Sequence, residues 1–549
     1  MTGLENTTLY NEDMKGITTS SSSFEQFIRG NMLYVDKTSY ICKLIENPAR
    51  NFYFISRPRR FGKSLFCNTL ESLFKGEKEL FKGLYIYDKY DFKPYPVLHF
   101  DFSGGMTMLT LDGFLSSFRN QIRNAVKQFD ITVSDTDDPV TVFENVINEI
   151  HEKYGEMVII IDEYDDPLIT ATLKNKPFLD DIREVFNSFC KTIKKNAGMI
   201  RFFFMTGVAK LSTLSIFSAM NNLVDLSMDK EFAGAFGYTD EELDEYFGEG
   251  IDEYLEANPG KYKSREEFRE KIRNYYDGYR FSPESETRVY NPVSIGFFFN
   301  DGCKFSNYWY KTGGSALVVK LAENFRLEDL LYDDIQISEF SLVAFDISKL
   351  NRNEGKTDTA FRAALLYYTG YLSIKAATEE KILLGFPNNE VSSSFTNYLL
   401  EKYSKDDEKS RLLVTDARIA AKEGKTEEII RALNAFYDQC TSVLISKRYE
   451  QPYQLIMHMF FVAAGCRVVA ELPTKLGRID NSMEIGKHIY LFELKVDKSA
   501  DEVISQIQEK KYGDIFREEM KKGKILHLIG IDFSSEERAI RNYREEAIS

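Results

Sequence analysis

The chain has 549 residues, with 70 Lys and Arg against 85 Asp and Glu, for a formal net charge of −15. At roughly 100–200 residues per domain, that length calls for about three or four domains. With 43% hydrophobic and 28% charged residues, and only 13 Pro and 32 Gly, the composition excludes a disordered, collagenous or mucin-like chain and leaves little room for long linkers.

The start, Met1-Thr2-Gly3-Leu4-Glu5-Asn6, carries neither a basic stretch nor an apolar run, so no secretory leader is expected. The longest apolar runs, Met157–Ile161 and Phe202–Met205, are far too short to cross a bilayer and read as buried strands. Six Cys stand singly and five His are scattered, which argues against a disulfide framework and against a Cys/His zinc site. These features predict a reduced, soluble, cytoplasmic protein with no membrane partner. The negative charge argues against a general nucleic-acid coat but leaves a local basic groove open, because binding follows the local field.

In chain order, short apolar runs at 52–56, 96–102, 157–161 and 201–205 alternate with helical patterns at 64–75, 112–129, 140–153 and 179–195. Continuous apolar strands alternating with helices predict a parallel sheet covered on both faces, over roughly residues 25–235. Thr239-x-x-Glu242 is a capping box that opens a charged helical stretch. Residues 359–403 read as a helix, then Thr369-Gly370-Tyr371-Leu372-Ser373-Ile374, a strand at 381–385 and a helix from about 389, which suggests a winged-helix-like module. A charged helical connector covers 401–430, and 450–549 reads helix–strand–strand–helix–strand. The expected domains are 1–238, 239–440 and 441–549, and the fold class is multidomain α/β.

Ser56-Arg57-Pro58-Arg59-Arg60-Phe61-Gly62-Lys63-Ser64 follows an apolar strand and opens an amphipathic helix. In a phosphate loop, backbone N–H groups and the helix N-terminus cradle phosphates, a Lys reaches the β- and γ-phosphates, and a Ser or Thr hydroxyl holds Mg²⁺. Gly62, Lys63 and Ser64 supply the second half of that motif, while Arg57 stands where the first consensus glycine would be. The strand 157–161 runs into Asp162-Glu163-Tyr164-Asp165-Asp166, placing carboxylates at a strand's carboxyl end, where ligands of parallel sheets gather. Asp162 would hold Mg²⁺ through water and Glu163 would polarise the attacking water. Thr206, at the end of the next strand, reads either as a γ-phosphate sensor or as an ordinary strand end. A basic surface turn and a polar strand cap are the plain alternatives.

This order of pieces resembles the AAA-ATPase-like domain of bacterial and archaeal proteins related to the signal-transducing (STAND-type) P-loop ATPases. Leu33-Tyr34-Val35-Asp36-Lys37-Thr38, residues 56–65, Ile161–Asp165, Thr206-Gly207-Val208, Tyr275–Phe281 and Tyr290-Asn291-Pro292 carry the likeness. Arg57 is the usual residue in that family. The resemblance implies that ATP is bound by Arg59, Arg60, Phe61, Gly62, Lys63, Ser64 and Leu65 with Asp162 and Thr206, and Mg²⁺ by Ser64 and Asp162.

Near the C-terminus, two alternating segments, 477–485 and 488–496, flank Gly486-Lys487, a two-residue hairpin signal. That turn makes partner numbers sum to about 973 and sets Asp480 opposite Glu493, with Lys495 on the same face. Directly opposed acids repel, so a hard divalent cation between them would account for the pair. A solvent-facing charged hairpin is the plain alternative. Glu450, opening the preceding helix, would add a third carboxylate, and Ser499-x-x-Glu502 caps the next helix, which carries Gln506.

Asp480, Glu493 and Lys495 on consecutive strands, flanked by two helices, resemble the PD-(D/E)XK nuclease superfamily. The resemblance implies Asp480 and Glu493 as metal ligands, Lys495 as a catalytic residue and Gln506 as its assistant, over about residues 447–540. Mg²⁺ or Mn²⁺ is the implied ion. One departure is Asn481-Ser482, in a strand that is usually apolar there. The reading is an ATP-regulated nuclease on nucleic acid, DNA ahead of RNA, with a homo-oligomer allowed. The alternative is a nucleotide switch whose nuclease fold is inactive and only binds nucleic acid or a partner.

Overall fold

In the computed structural model, the described residues are 16–548 apart from 20, 48–49, 104–109, 175, 212–219, 221, 312–334, 346–357, 441–449 and 475–476. They fall into two compact units, one from 1–325 with 336–388, the other from 326–335 with 389–549.

The first unit is built on a five-stranded parallel sheet. Its strands are β1 (Phe52–Ser56), β2 (Val97–Asp101), β3 (Met157–Asp162), β4 (Ile200–Gly207) and β5 (Val224–Asp225), in the order β2-β3-β4-β1-β5. All six residues of β3 are buried, as its unbroken apolar run requires of a strand covered on both faces. Helices Lys63–Phe74, Leu111–Ala125, Pro139–Tyr154 and Leu179–Lys195 follow the expected pattern to within a few residues. Phe100, Phe102, Phe118, Phe143 and Phe189 interlock between sheet and helices, each ring contributing about 1.5–3 kcal/mol of burial.

Thr239 caps the helix Asp240–Ala257 through the reciprocal bonds with Glu242 that the sequence predicts. That helix packs with Arg265–Tyr276 and Pro292–Asn300 around Phe247, Ile251, Phe268, Ile272 and Phe298. The helix Thr359–Thr369 ends where Gly370 takes φ +86°, so the next strand begins only at Ser373. β6 (Ile335–Ile337), β7 (Ser373–Ala377) and β8 (Ile382–Gly385) form a small sheet in the order β6-β8-β7.

The second unit contains helices Asn389–Tyr403, Asp407–Glu423 and Thr426–Gln439, then a five-stranded mixed sheet. Its strands are β9 (Arg467–Thr474), β10 (Gly477–Ile485), β11 (His488–Val496), β12 (Ile525–Ser534) and β13 (Ala539–Ile548), in the order β13-β12-β11-β10-β9. β11 and β12 are parallel and the other pairs antiparallel. Helices Glu450–Ala463 and Ala500–Glu509 precede and follow the three-strand run β9–β11. Two strands differ from the sequence reading, which has neither β9 nor β13. β9 carries Glu471 and Pro473, which break an apolar alternation, and β13 reads Ala-Ile-Arg-Asn-Tyr-Arg-Glu-Glu-Ala-Ile, whose central charged residues suit a strand at the sheet edge. Among the described residues no helix is long and apolar enough to cross a membrane.

Candidate functional site

The phosphate-loop segment leaves β1 at Ser56 and enters the helix Lys63–Phe74 through Gly62, whose φ of +92° is open to glycine at little cost. Arg60 also takes a positive φ, +73°. Arg57 needs no such conformation, and its side chain explains its presence. The buried guanidinium donates to the carbonyls of Ser56 (2.8 Å), Ser227 (2.7 Å) and Phe232 (3.0 Å) and lies 4.4 Å from the Phe281 ring centroid. Arg57 therefore fastens the loop from beneath. The Lys63 ammonium donates to the carbonyls of Arg57 and Pro58, both at 3.1 Å, so the loop wraps round its own cation.

Parallel register brings the strand ends together beside this loop. Ile55 pairs with Thr206, Ile161 with Met205, and Asp101 with Asp162. Asp162 is buried; burial pushes its carboxyl up, opposed by a hydrogen bond from Ser64 and by the Lys63 charge. Asp162 Oδ1 and Thr206 Oγ1 are buried without a hydrogen-bond partner among the described residues. Such orphaned oxygens fit a site built to receive a cation and a phosphate. Glu163 holds a left-handed backbone at φ +50°, which costs about 1–2 kcal/mol in a non-glycine residue.

A cleft of about 530 Å³ opens here, and Arg59, Arg60, Gly62, Lys63, Ser64, Leu65 and Glu163 line it. Phe61 does not: its ring is buried edge-on against Tyr279 (4.8 Å) and Phe281 (5.3 Å). The lining also includes Thr18, Thr19, Phe27, Tyr238, Pro292 and Val293, to which the sequence alone assigns no role. Only Tyr290-Asn291-Pro292 gave a signal, as a matched motif without an assigned place. Asp166, also in the lining, pairs with Arg59 at 2.8 Å. Asp165 turns inward, accepts hydrogen bonds from the N–H groups of Val208 (3.0 Å) and Ala209 (2.8 Å), and is pushed up to about 7 by burial. Arg280 is buried and donates to the carbonyls of Ser282 and Pro283.

In the second unit the hairpin has the register its turn predicts. Gly486 takes φ +57°, and the pairs run from Ile485–His488 to Asn481–Phe492. Asp480 and Glu493 come next. The Glu493 carboxylate accepts from the Asp480 N–H at 3.4 Å, and Asp480 accepts from the Leu494 N–H at 2.8 Å. Gln506, on the helix Ala500–Glu509, donates to Glu493 Oε1 at 2.8 Å. The Lys495 ammonium lies 3.2 Å from Glu450, 3.4 Å from Glu493 and 3.9 Å from Asp480. All five predicted side chains of this site converge.

Both strand acids are buried. Burial first, then the neighbouring Glu493, pushes the Asp480 carboxyl up; burial also raises Glu493, against the pull of Lys495. Two hard carboxylates deprived of water fit a divalent cation of the Mg²⁺ type. Among the described residues no group of three or more His, Cys, Asp or Glu side chains forms a ready cage; the third acid, Glu450, is turned to Lys495.

The helix Glu450–Ala463 contributes more than its first residue. Gln454, one turn on, hydrogen-bonds Asp480, and His458, a further turn on, bonds Asn481 at 3.1 Å. This stripe at i, i+4 and i+8 was not seen in the sequence, because a neutral amide and a lone His carry no motif. It also accounts for the polar Asn481, whose side chain faces the helix.

Two family models match separate parts of the chain. Residues 18–217 match the family described as predicted AAA-ATPase, and residues 448–543 match the PD-(D/E)XK nuclease superfamily. A solved structure of the Aeropyrum pernix ORC2 protein, in ADPNP and ADP complexes, aligns at 10% identity with a TM-score of 0.29, covering 71% of this chain and 97% of that one. A protein of Azotobacter chroococcum mcd 1, described as an uncharacterized protein in the vnfD 5′ region, is 30% identical over 539 residues, 94% of this chain and 95% of its own length. On that near-complete match, the chain belongs to the same family as the Azotobacter protein; within it, one segment matches the predicted AAA-ATPase family and a later one matches the PD-(D/E)XK nuclease superfamily.

Proposed function

We propose that this protein is a cytoplasmic, STAND-type ATPase whose C-terminal part is a metal-dependent nuclease cutting nucleic-acid phosphodiester bonds, DNA ahead of RNA, under control of the nucleotide state. On this reading the functional divisions are 1–238, 239–440 and 441–549. The observation that carries it is the convergence of Asp480, Glu493, Lys495 and Gln506 at one end of the β10–β11 hairpin.

In the first unit, the N–H groups around Gly62, Lys63 and Ser64 would cradle the phosphates of ATP, with Lys63 shifting from the loop carbonyls to phosphate oxygens. Ser64 and Asp162 would hold Mg²⁺, Glu163 would take a proton from the attacking water, and Thr206 Oγ1 would meet the terminal phosphate. In the second unit, Asp480 and Glu493 would hold Mg²⁺ or Mn²⁺, which when bound supplies charge neutralisation at the scissile phosphate. Lys495 orients the attacking water, and Gln506 fixes the Glu493 carboxylate through its 2.8 Å bond.

Plasmid DNA and RNA incubated with Mg²⁺ or Mn²⁺, beside an Asp480→Ala variant, test the nuclease. Cleavage that the variant loses is expected. No cleavage by the unaltered protein on any substrate or metal would leave the switch reading, in which this fold only binds. For the control by nucleotide, a Lys63→Ala protein that cleaves at the same rate with the same ATP dependence would refute it.

A further inference from the structure

The second site contains a cation of its own. The Lys495 ammonium touches three carboxylates, those of Glu450, Glu493 and Asp480, within 3.2–3.9 Å. Its side chain is only 15% exposed, so these contacts are poorly screened by water. The two strand acids are already fixed by other donors, Asp480 by the Leu494 N–H and Glu493 by Gln506. The mobile member of the group is the lysine, on a flexible four-carbon stem. Glu450 is the partner that draws it away from the strand pair, since it makes the shortest contact and comes from a helix rather than the hairpin.

We propose that Lys495 is the resident counter-ion of the Asp480–Glu493 pair, that a divalent cation must displace it towards Glu450, and that Glu450 positions the lysine instead of ligating the metal. This rests on the metal-nuclease reading above. Without Lys495 the Asp480–Glu493 pair loses its counter-charge, and the like charge that repels an incoming cation at about 4 Å is gone. The lysine therefore weakens metal binding although the reaction needs it. Glu450 helps metal binding chiefly by holding the lysine aside.

Mn²⁺ titrations by calorimetry on the full chain test this, with Lys495→Met, Glu450→Gln and the double variant beside Asp480→Asn. Lys495→Met is expected to bind Mn²⁺ at least about tenfold more tightly, and Lys495→Gln, which keeps a polar end, is expected to do the same. Glu450→Gln should weaken Mn²⁺ clearly in the natural background and much less in the Lys495→Met background. Equal or weaker binding by both lysine variants would overturn the counter-ion role. A Glu450→Gln penalty of the same size in both backgrounds would make Glu450 a ligand and overturn the positioning role. If the unaltered protein binds no Mn²⁺, or binds as well with Asp480→Asn, the metal-site reading itself falls and takes this proposal with it.

Discussion

His458 and Asn481 are hydrogen-bonded inside the second unit, the ring Nδ1 lying 3.1 Å from the amide Oδ1. The asparagine also donates to the Gln454 carbonyl at 3.4 Å, so both polar groups in this buried layer have partners. Asn481→Leu, which restores the apolar residue usual in such a strand, is expected to destabilise by about 1–3 kcal/mol because it strands a buried imidazole. Urea unfolding at pH 8 reads the cost.

The same histidine predicts an acid limb. Burial holds the His458 pKa below its usual 6.5, against the pull of Asn481. Above pH 6.5 both folded and unfolded states hold it neutral and it contributes no slope. Below 6.5 the unfolded chain binds a proton that the folded one refuses, so stability falls as pH falls. Unfolding midpoints between pH 8 and 5.5 should show the decline, and His458→Gln should flatten it.

Glu71 adds an acid dependence of the same sign in a lower pH window. Burial raises its carboxyl, but hydrogen bonds and charge from His99 (2.6 Å) and Lys75 (2.6 Å) outweigh that and hold it at about 2. Its stabilisation, on the order of 2 kcal/mol after allowance for partial exposure, is complete above pH 4.5 and is lost as pH falls from 4.5 to about 2. Glu71→Gln should lower stability at pH 7 and make the melting temperature less sensitive to acid across that window.

Arg57→Gly would install the consensus residue of a phosphate loop. It is nevertheless expected to cost about 3 kcal/mol or more, because three carbonyls lose a charged donor in a buried place. Thermal unfolding with and without ATP distinguishes this from a simple gain of loop freedom, which would leave the unliganded midpoint unchanged.

Glu163→Gln should retain nucleotide affinity and lower ATP hydrolysis at least about a hundredfold, since the amide keeps the shape but takes no proton. Binding of a fluorescent ATP analogue set against phosphate release checks the split; a parallel loss of affinity would make Glu163 a binding group.

Much of this was legible in the chain because the relevant signals are local. The parallel sheet follows from unbroken apolar runs such as Met157–Ile161, and the Asp480–Glu493 pairing from a two-residue turn and a period of two. The rest depends on packing between distant segments. Thr18 and Tyr238 share a cleft wall although 220 positions separate them, and nothing in either neighbourhood announces it. Phe61 sits within the loop motif, yet its ring serves the core, a choice made by Tyr279 and Phe281. Gln454 reaches Asp480 only because a helix turn and a strand register coincide, and β13 hides because its charges resemble those of a solvated helix.

Those charges on β13 have one more effect. With Arg541, Arg544, Glu545 and Glu546 along an outer border strand, a second copy pairing with the sheet there would crowd ionic groups that are already engaged within the unit. Strand addition by a second copy is therefore disfavoured along that border.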